Sequence, residues 1–387
     1  MKLQQAFNLR LFPVVFFLHA STCLLAQEVT SRRIDLWKKH IIFEGAANQT
    51  AVAGDFTGDG LPDVIASCGG SSRMFVAPNW KEKTLFRGPR RNWSCIHSEV
   101  MDVDGDGDLD YIAAVAKQGV FWLENPANPL EGEWKHHVID NEIHGIHCTL
   151  KADINGDGKN DLLVNNFAVD GAAPNSLTWL DIPPNPRDLW QRHVLAKGDA
   201  PGGNHYFGFG DVDGDGRGDV CIGAKGKPFE GGNWFAWWKN QANPKQPWKK
   251  ELISDNEVGA TCIMPGDLNG DGHMDFFATR GHGKGVLWFE GPTWKKHEID
   301  PSLEAPHCLQ LVDVDGDGDL DGATCARLSK LAVWYDNDGH GQFTPRVIGE
   351  NQAAYDIRAI DMDNDGDLDF VVAGQASNNI VWYEQPM

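Results

Sequence analysis

The sequence predicts an all-β protein: a seven-bladed β-propeller with four antiparallel strands per blade. Three observations predict it. A nine-residue acidic loop recurs seven times, its starts 46 to 58 residues apart. Each copy sits in the same succession of short alternating strands and Gly/Asn/Pro turns, and no stretch reads as a helix. The chain opens its ordered part on a strand with no blade before it and ends on a strand with nothing after it. Four short strands at a period of about 50 residues are what a propeller blade leaves in a sequence.

The clearest acidic loop is Asp102-Val-Asp-Gly-Asp-Gly-Asp-Leu-Asp110. Alternation in a tight turn points the odd-numbered side chains at one centre, and the glycines supply the positive φ values the turn needs. Hard oxygens at this density specify Ca²⁺, which takes six to eight of them. The ligand positions are one, three, five and nine. They are filled by Asp55, Thr57, Asp59 and Asp63 in copy one, by Asp102, Asp104, Asp106 and Asp110 in copy two, and by Asp153, Asn155, Asp157 and Asp161 in copy three. Copy four uses Asp211, Asp213, Asp215 and Asp219; copy five, Asp267, Asn269, Asp271 and Asp275. Copy six uses Asp313, Asp315, Asp317 and Asp321; copy seven, Asp361, Asp363, Asp365 and Asp369. An EF-hand would place a bidentate Glu at position twelve. Those positions hold Ala66, Ala113, Val164, Ile222, Ala278, Thr324 and Val372, so the EF-hand reading fails. Up to seven structural Ca²⁺ ions are expected.

Within a repeat, one strand enters the acidic loop and a second leaves it. A third ends in Trp plus an acid or amide, as at 120–124, 286–290 and 381–384. A fourth starts on an aromatic and carries alternating charge, as at 134–139, 190–195, 248–253 and 294–299. The tryptophans are expected to pack between blades. The opening strand, 37–42, is a fourth strand, so it should complete the last blade beside 380–384 and close the ring, removing exposed edges.

Residues 1–26 read as a signal peptide: Lys2 and Arg10, an apolar run at 11–18, and a cleavage site at 24–26. A short segment, 27–35, precedes the propeller at 36–387. The expected protein is secreted, periplasmic or extracellular, without a transmembrane segment in the mature chain, and monomeric. The seven loops hold about half of the 55 acidic residues, so the net charge of −21 overstates the surface charge once cations are bound. No basic run supports nucleic-acid binding. Of eight cysteines, Cys23 leaves with the signal, and an odd number remains. Two pairings are open, Cys308 with Cys325 and Cys68 with Cys95, against the reading that all are small buried thiols.

Phe207-Gly-Phe-Gly-Asp211-Val-Asp-Gly-Asp-Gly216, followed by Gly223-Ala224, makes the chain resemble the FG-GAP/VCBS repeat family, whose best-known propeller is that of integrin α subunits. The resemblance implies that the calcium loops lie on one face and that ligands meet the opposite face. Six residues before each first Asp lie Gln49, Ile96, His147, His205, Thr261, His307 and Tyr355, with His97 and Tyr206 one place later. Neutral imidazoles there could hold Zn²⁺ or another divalent metal, or act as a base with Tyr as partner. Lys117, Lys225, Lys227, Arg280, His282, Lys284 and Arg327, joined by Arg73, Arg90 and Arg91, read as a cationic rim around this face. Trp93, Phe167, Tyr206 and Trp234 read as stacking surfaces for sugars.

Two functions stay open. One is a lyase or dehydratase acting on carbohydrate, an acidic polysaccharide in particular, by β-elimination. Some polysaccharide lyases and the aldos-2-ulose dehydratase propeller are similar in having a His/Tyr-lined funnel. His147, His205 or Tyr206 would be the base. A metal on His97, His147 and His307, or Arg280, would stabilise the enolate. The other is a non-catalytic module that binds glycans or a cell-surface protein.

Overall fold

The computed structural model describes residues 32–89, 93–115, 118–168 and 170–386. Residues 1–26, expected to be a signal peptide and including Cys23, lie outside them, as do Arg90, Arg91 and Lys117. Twenty-nine strands and no helix are found among the described residues. They form seven sheets, and in six of them four antiparallel strands lie in chain order or its closed-ring equivalent. The acidic loops join the inner strand of each blade to the second. In blade 4, for example, the inner strand Asn204–Gly210 runs into the loop and Asp219–Ala224 leaves it.

The ring closes as the strand inventory predicts. Lys38–Glu44 pairs antiparallel with Asn379–Glu384, with His40 opposite Trp382, and becomes the outer strand of the seventh blade. The segment before it adds a contact that alternation alone does not reveal. Arg33–Ile34 pairs in parallel with Phe343–Glu350, giving blade 6 a fifth strand. Arg32 reinforces it through Asp300, at 2.7 and 2.9 Å, and Tyr335 Oη donates to the same carboxylate at 3.2 Å.

The tryptophans of the third strands are buried, as expected of packing residues: Trp122, Trp179 and Trp238 are completely so. In four blades the outer strand lays a histidine on that ring. His137 stacks on Trp122, His193 lies over Trp179, and His297 and His40 stack on Trp288 and Trp382. Each imidazole also reaches a carboxylate two residues past the tryptophan: Glu124, Asp181, Glu290 and Glu384 respectively. Antiparallel register makes this repeat possible, because cross-strand partners on one face come within contact distance. In blade 6 Arg346 replaces the histidine, over Trp334 and paired with Asp336. All seven described cysteines are buried free thiols, so neither pairing forms.

Candidate functional site

Each acidic loop is built round two carboxylates with different jobs. In copy two, Gly105 and Gly107 donate their backbone N–H to the two oxygens of Asp102, at 2.8 and 3.1 Å. Their φ values of 77° and 98° are ones that glycine adopts without strain. Asp110, at position nine, is buried. It accepts from the N–H of Val103 at 2.9 Å and of Asn125 at 2.8 Å, tying the loop to the end of the third strand. Asp219, Asp275, Asp321 and Asp369 make the same pair of hydrogen bonds, and Asp63 accepts from Thr57, at position three, and from Ala77. Position nine is thus a staple between strands as well as a donor toward the loop centre.

Three carboxylates come within 4.8 Å of one another in four loops: Asp102, Asp104 and Asp110; Asp211, Asp213 and Asp219; Asp313, Asp315 and Asp321; Asp361, Asp363 and Asp365. The donor set fits a hard cation. One position-three oxygen, Asp104 Oδ1, is moreover buried with no hydrogen-bond partner, as a cation-facing ligand atom would be. Burial pushes Asp110, Asp161 and Asp321 up to about 7, and neighbouring carboxylates add to the shift. In copies two and four basic side chains already approach: Arg187 reaches Asp104 at 2.6 Å, and Lys239 pairs with Asp213 and with Asp215.

The other end of the inner strands carries a second cluster. His147 from blade 3, His205 from blade 4 and His307 from blade 6 are all buried, and one ring nitrogen of each lies within 4.8 Å of the others. His147 and His205 stack with centroids 3.8 Å apart. Tyr206 stands edge-on to His147, His205 and His307 at 5.2 to 5.9 Å, with its hydroxyl buried and unpartnered. Tyr355 stacks on His307 at 3.4 Å and its hydroxyl lies 3.3 Å from His147 Nε2. From His205 to the first Asp of its acidic loop, Asp211, is about 20 Å along an extended strand, so the two clusters occupy opposite ends of the propeller.

Backbone carbonyls orient two of the rings. His205 Nδ1–H donates to Gly203 at 3.3 Å and His307 Nδ1–H donates to Tyr355 at 3.2 Å, which makes each Nε2 the unprotonated nitrogen. Gly203, at φ 75°, gives the bend that brings its carbonyl under His205; a Cβ there would meet Phe229 at 2.6 Å. His282 arrives from the loop between the second and third strands of blade 5. It is the exposed member, and its Nε2 lies 2.8 Å from His205 Nε2. With the proton of His205 on Nδ1, His282 donates that bond and keeps its own Nδ1 lone pair.

Burial, then the charges of the neighbours, hold all four imidazoles neutral: His147 falls to about 3, His282 to about 4, and His205 and His307 lie well below the usual range. Lys225 contributes to each of these shifts, and Arg327 to that of His282. Among the described residues neither cation is paired with a carboxylate. Lys225 instead lies over the ring of half-buried Phe229, at 5.6 Å, and Phe229 meets half-buried Phe167, which borders His147.

The remaining candidates go elsewhere. His97 sits near Tyr206 but turns to other partners: Arg358 donates to its Nε2 at 2.7 Å and Thr149 Oγ1 lies 3.1 Å from its Nδ1. The metal-compatible triad is therefore His147, His205 and His307, in place of the expected His97, His147 and His307. Arg280 is committed to Glu257, at 2.5 and 2.9 Å, and to Glu298 at 3.0 Å, and lines a shallow cavity of ≈ 520 Å³ with Val258 and Leu328. Of the rim cations, Arg73 pairs with Glu82 and Lys284 with Glu304. Trp93 and Trp234 are core residues, Trp93 packing on Phe86 and Phe121 and Trp234 on Trp238; of the proposed stacking surfaces only Phe167 keeps an open face.

No curated protein matches this chain. Among solved structures, BBS1N in complex with ARL6DN is similar, in one crystal soaked with lead and another soaked with mercury. Both give a TM-score of 0.60 at 10% identity over 92% of this chain, and cover 99% and 98% of theirs. At that identity the likeness carries the fold alone. The family model for FG-GAP-like repeats matches residues 55–113, 102–164, 211–278, 267–324 and 313–372. These matches span most of the ring and each runs from one acidic loop into the next blade, so the chain belongs to the FG-GAP-like repeat family.

Proposed function

We propose that this is an exported, calcium-stapled propeller that binds an anionic sugar of the uronate type over His282 and cleaves it by β-elimination. One observation carries the reading. Neutral histidines from blades 3 to 6 meet at one end of the ring beside two unpaired cations, Lys225 and Arg327. Cations without carboxylate partners attract an anion, and neutral imidazoles can accept a proton. Phe167 and Phe229 offer half-open rings for a sugar face.

The chemistry assigns roles by exposure. His147, His205 and Tyr206 are too deeply buried to touch a polymer, so the expected bases become supporting groups. His282 takes the proton on the carbon α to the carboxylate. Lys225 and Arg327 offset the charge that develops on that carboxylate. The double bond forms as the C–O bond to the β carbon breaks, and the departing oxygen takes a proton from Tyr355. Burial lifts that phenol to about 12, so it is in its acid form.

Incubation with uronate-containing and neutral polysaccharides tests this through the ultraviolet absorbance of the unsaturated product. Product is expected from uronides only, and His282→Ala should lower the rate by about 100-fold or more. No product from any uronide with the folded protein would discard catalysis. A second reading, non-catalytic binding of glycans or of a cell-surface protein, is favoured by the burial of the three inner histidines, which are 1–6% exposed.

A further inference from the structure

The geometry points to a transition-metal centre at the histidine end of the ring, with His147, His205 and His307 as protein ligands and Zn²⁺ as the ion. It rests on the site used in the proposed function but not on its reaction.

Three features make the cluster a metal site and not merely a packed group of rings. The ligand atoms converge: three ring nitrogens lie within 4.8 Å of one another. Zinc–nitrogen bonds of about 2.0–2.1 Å set tetrahedral ligand atoms about 3.4 Å apart, so side-chain shifts of about 1 Å complete the set. The lone pairs are prepared: two rings give their Nδ1–H to backbone carbonyls, the outer-shell arrangement that fixes tautomer and orientation in metal-bound histidines. And one lone pair is open: His307 Nε2 is buried and makes no hydrogen bond within the chain.

The donor set also selects the ion. The group is all imidazole, which suits zinc and its neighbours in the transition series, whereas Ca²⁺ demands oxygen. The acidic loops at the far end have the opposite preference. Three neutral ligands leave the ion's full double charge, and Lys225 and Arg327 add to it. The fourth coordination position is thus suited to a small anion such as hydroxide. Zinc on His205 also takes the lone pair that holds His282, freeing that side chain.

The test uses the whole protein kept in excess Ca²⁺, so that the acidic loops do not compete. Equilibrium dialysis against Zn²⁺ should leave one tightly held ion per chain, and Co²⁺ in its place should give the visible absorption of a nitrogen-ligated, four-coordinate ion. His307→Gln preserves volume and should weaken retention by more than the roughly 10–100-fold that loss of an outer-shell partner costs, and should erase the cobalt spectrum. His144→Gln, at a partly exposed residue outside the triad whose Nδ1 lies 3.7 Å from Asp170, is the matched control and should change neither. Absence of retained zinc, or retention unchanged by His307→Gln, overturns the proposal. Uronide cleavage is measured on the same samples. Zinc retained without turnover rejects the elimination reading and keeps the metal centre; turnover by protein that retains no zinc does the reverse.

Discussion

Chelating the calcium should lower the melting temperature by at least about 10 °C, with a loss that grows as pH rises. Each ion held at 100-fold saturation stabilises the fold by about 2.7 kcal/mol, and several sites act together on one ring. The pH dependence follows from the position-nine carboxylates. In chelated protein burial raises Asp110, Asp161 and Asp321 to about 7, and Asp219 and Asp369 to about 6, against 3.8 for the free side chain. Between the lower and the upper values the folded chain holds more protons than the unfolded one. Its stability therefore falls as pH rises through that window. Calcium needs the same carboxylates ionised, so the loaded protein gains where the chelated one loses. The difference between the two melting curves should widen from pH 5 to pH 8. A difference that stays constant over that range contradicts the account. Copies two, four, six and seven, with Asp at positions one, three, five and nine, should hold their ions hardest, and those with Thr57, Asn155 or Asn269 should empty first. Asp63→Ala and Asp110→Ala each break two backbone bonds, so an excess cost of Asp110→Ala that appears in calcium and vanishes on chelation, measured by denaturant unfolding, reports the cation.

Arg358→Met should be the most damaging single change inside the ring. Arg358 lies on the inner strand of blade 7 and reaches across to Glu99 of blade 2 at 3.6 Å, to its own-strand Asp356 at 3.2 Å and to His97 at 2.7 Å. Burial opposes its charge, yet Asp356 and Glu99 outweigh burial and raise its pKa. Asp356 also accepts from Thr50 of blade 1 at 2.9 Å, so one network ties three blades. Removing the guanidinium leaves buried Asp356 without a cation and buried Glu99 with Lys151 alone. The cost should be about 3 kcal/mol. Denaturant unfolding reads it, and adding Glu99→Gln to the variant should return part of the loss. A change below about 1 kcal/mol, or a double variant no better than the single, would show that these charges are already solvated.

The ring was legible because its cause is repeated. Seven acidic loops fix the blade count, and an unpaired first strand matched to an incomplete last blade fixes the closure. The convergence of His147, His205 and His307 was legible from register, because residues at equal distance from their loops must share one end of the inner strands. Three things were not. His282 was legible as a rim residue but not as a partner of His205, because its loop's path depends on Gly259 and Gly283 packing backbone to backbone, where a Cβ on Gly259 would meet Gly283 N at 2.4 Å. Counting along a strand does not reach such a contact. His97 lies one place further along its strand than the triad positions and has other neighbours, since Arg358 comes from five blades further along the chain. Trp93 and Trp234 belong to a residue type that serves core and sugar platform equally, so only packing decides between them. The outer-strand histidines that stack on tryptophan had a visible signal, a histidine opposite Trp-x-acid at cross-strand register, which reads as alternating charge until the pairing is known.

The central claim is that one propeller sorts two kinds of cation to the two ends of the same strands: hard ions to carboxylates, a borderline ion to imidazoles. Anomalous diffraction from a single crystal equilibrated with Ca²⁺ and Zn²⁺, collected on either side of the zinc edge, tests it most directly. The account predicts one edge-dependent peak bounded by His147, His205 and His307, and edge-independent peaks in the acidic loops. Zinc confined to the acidic loops, with nothing among the histidines, would contradict it.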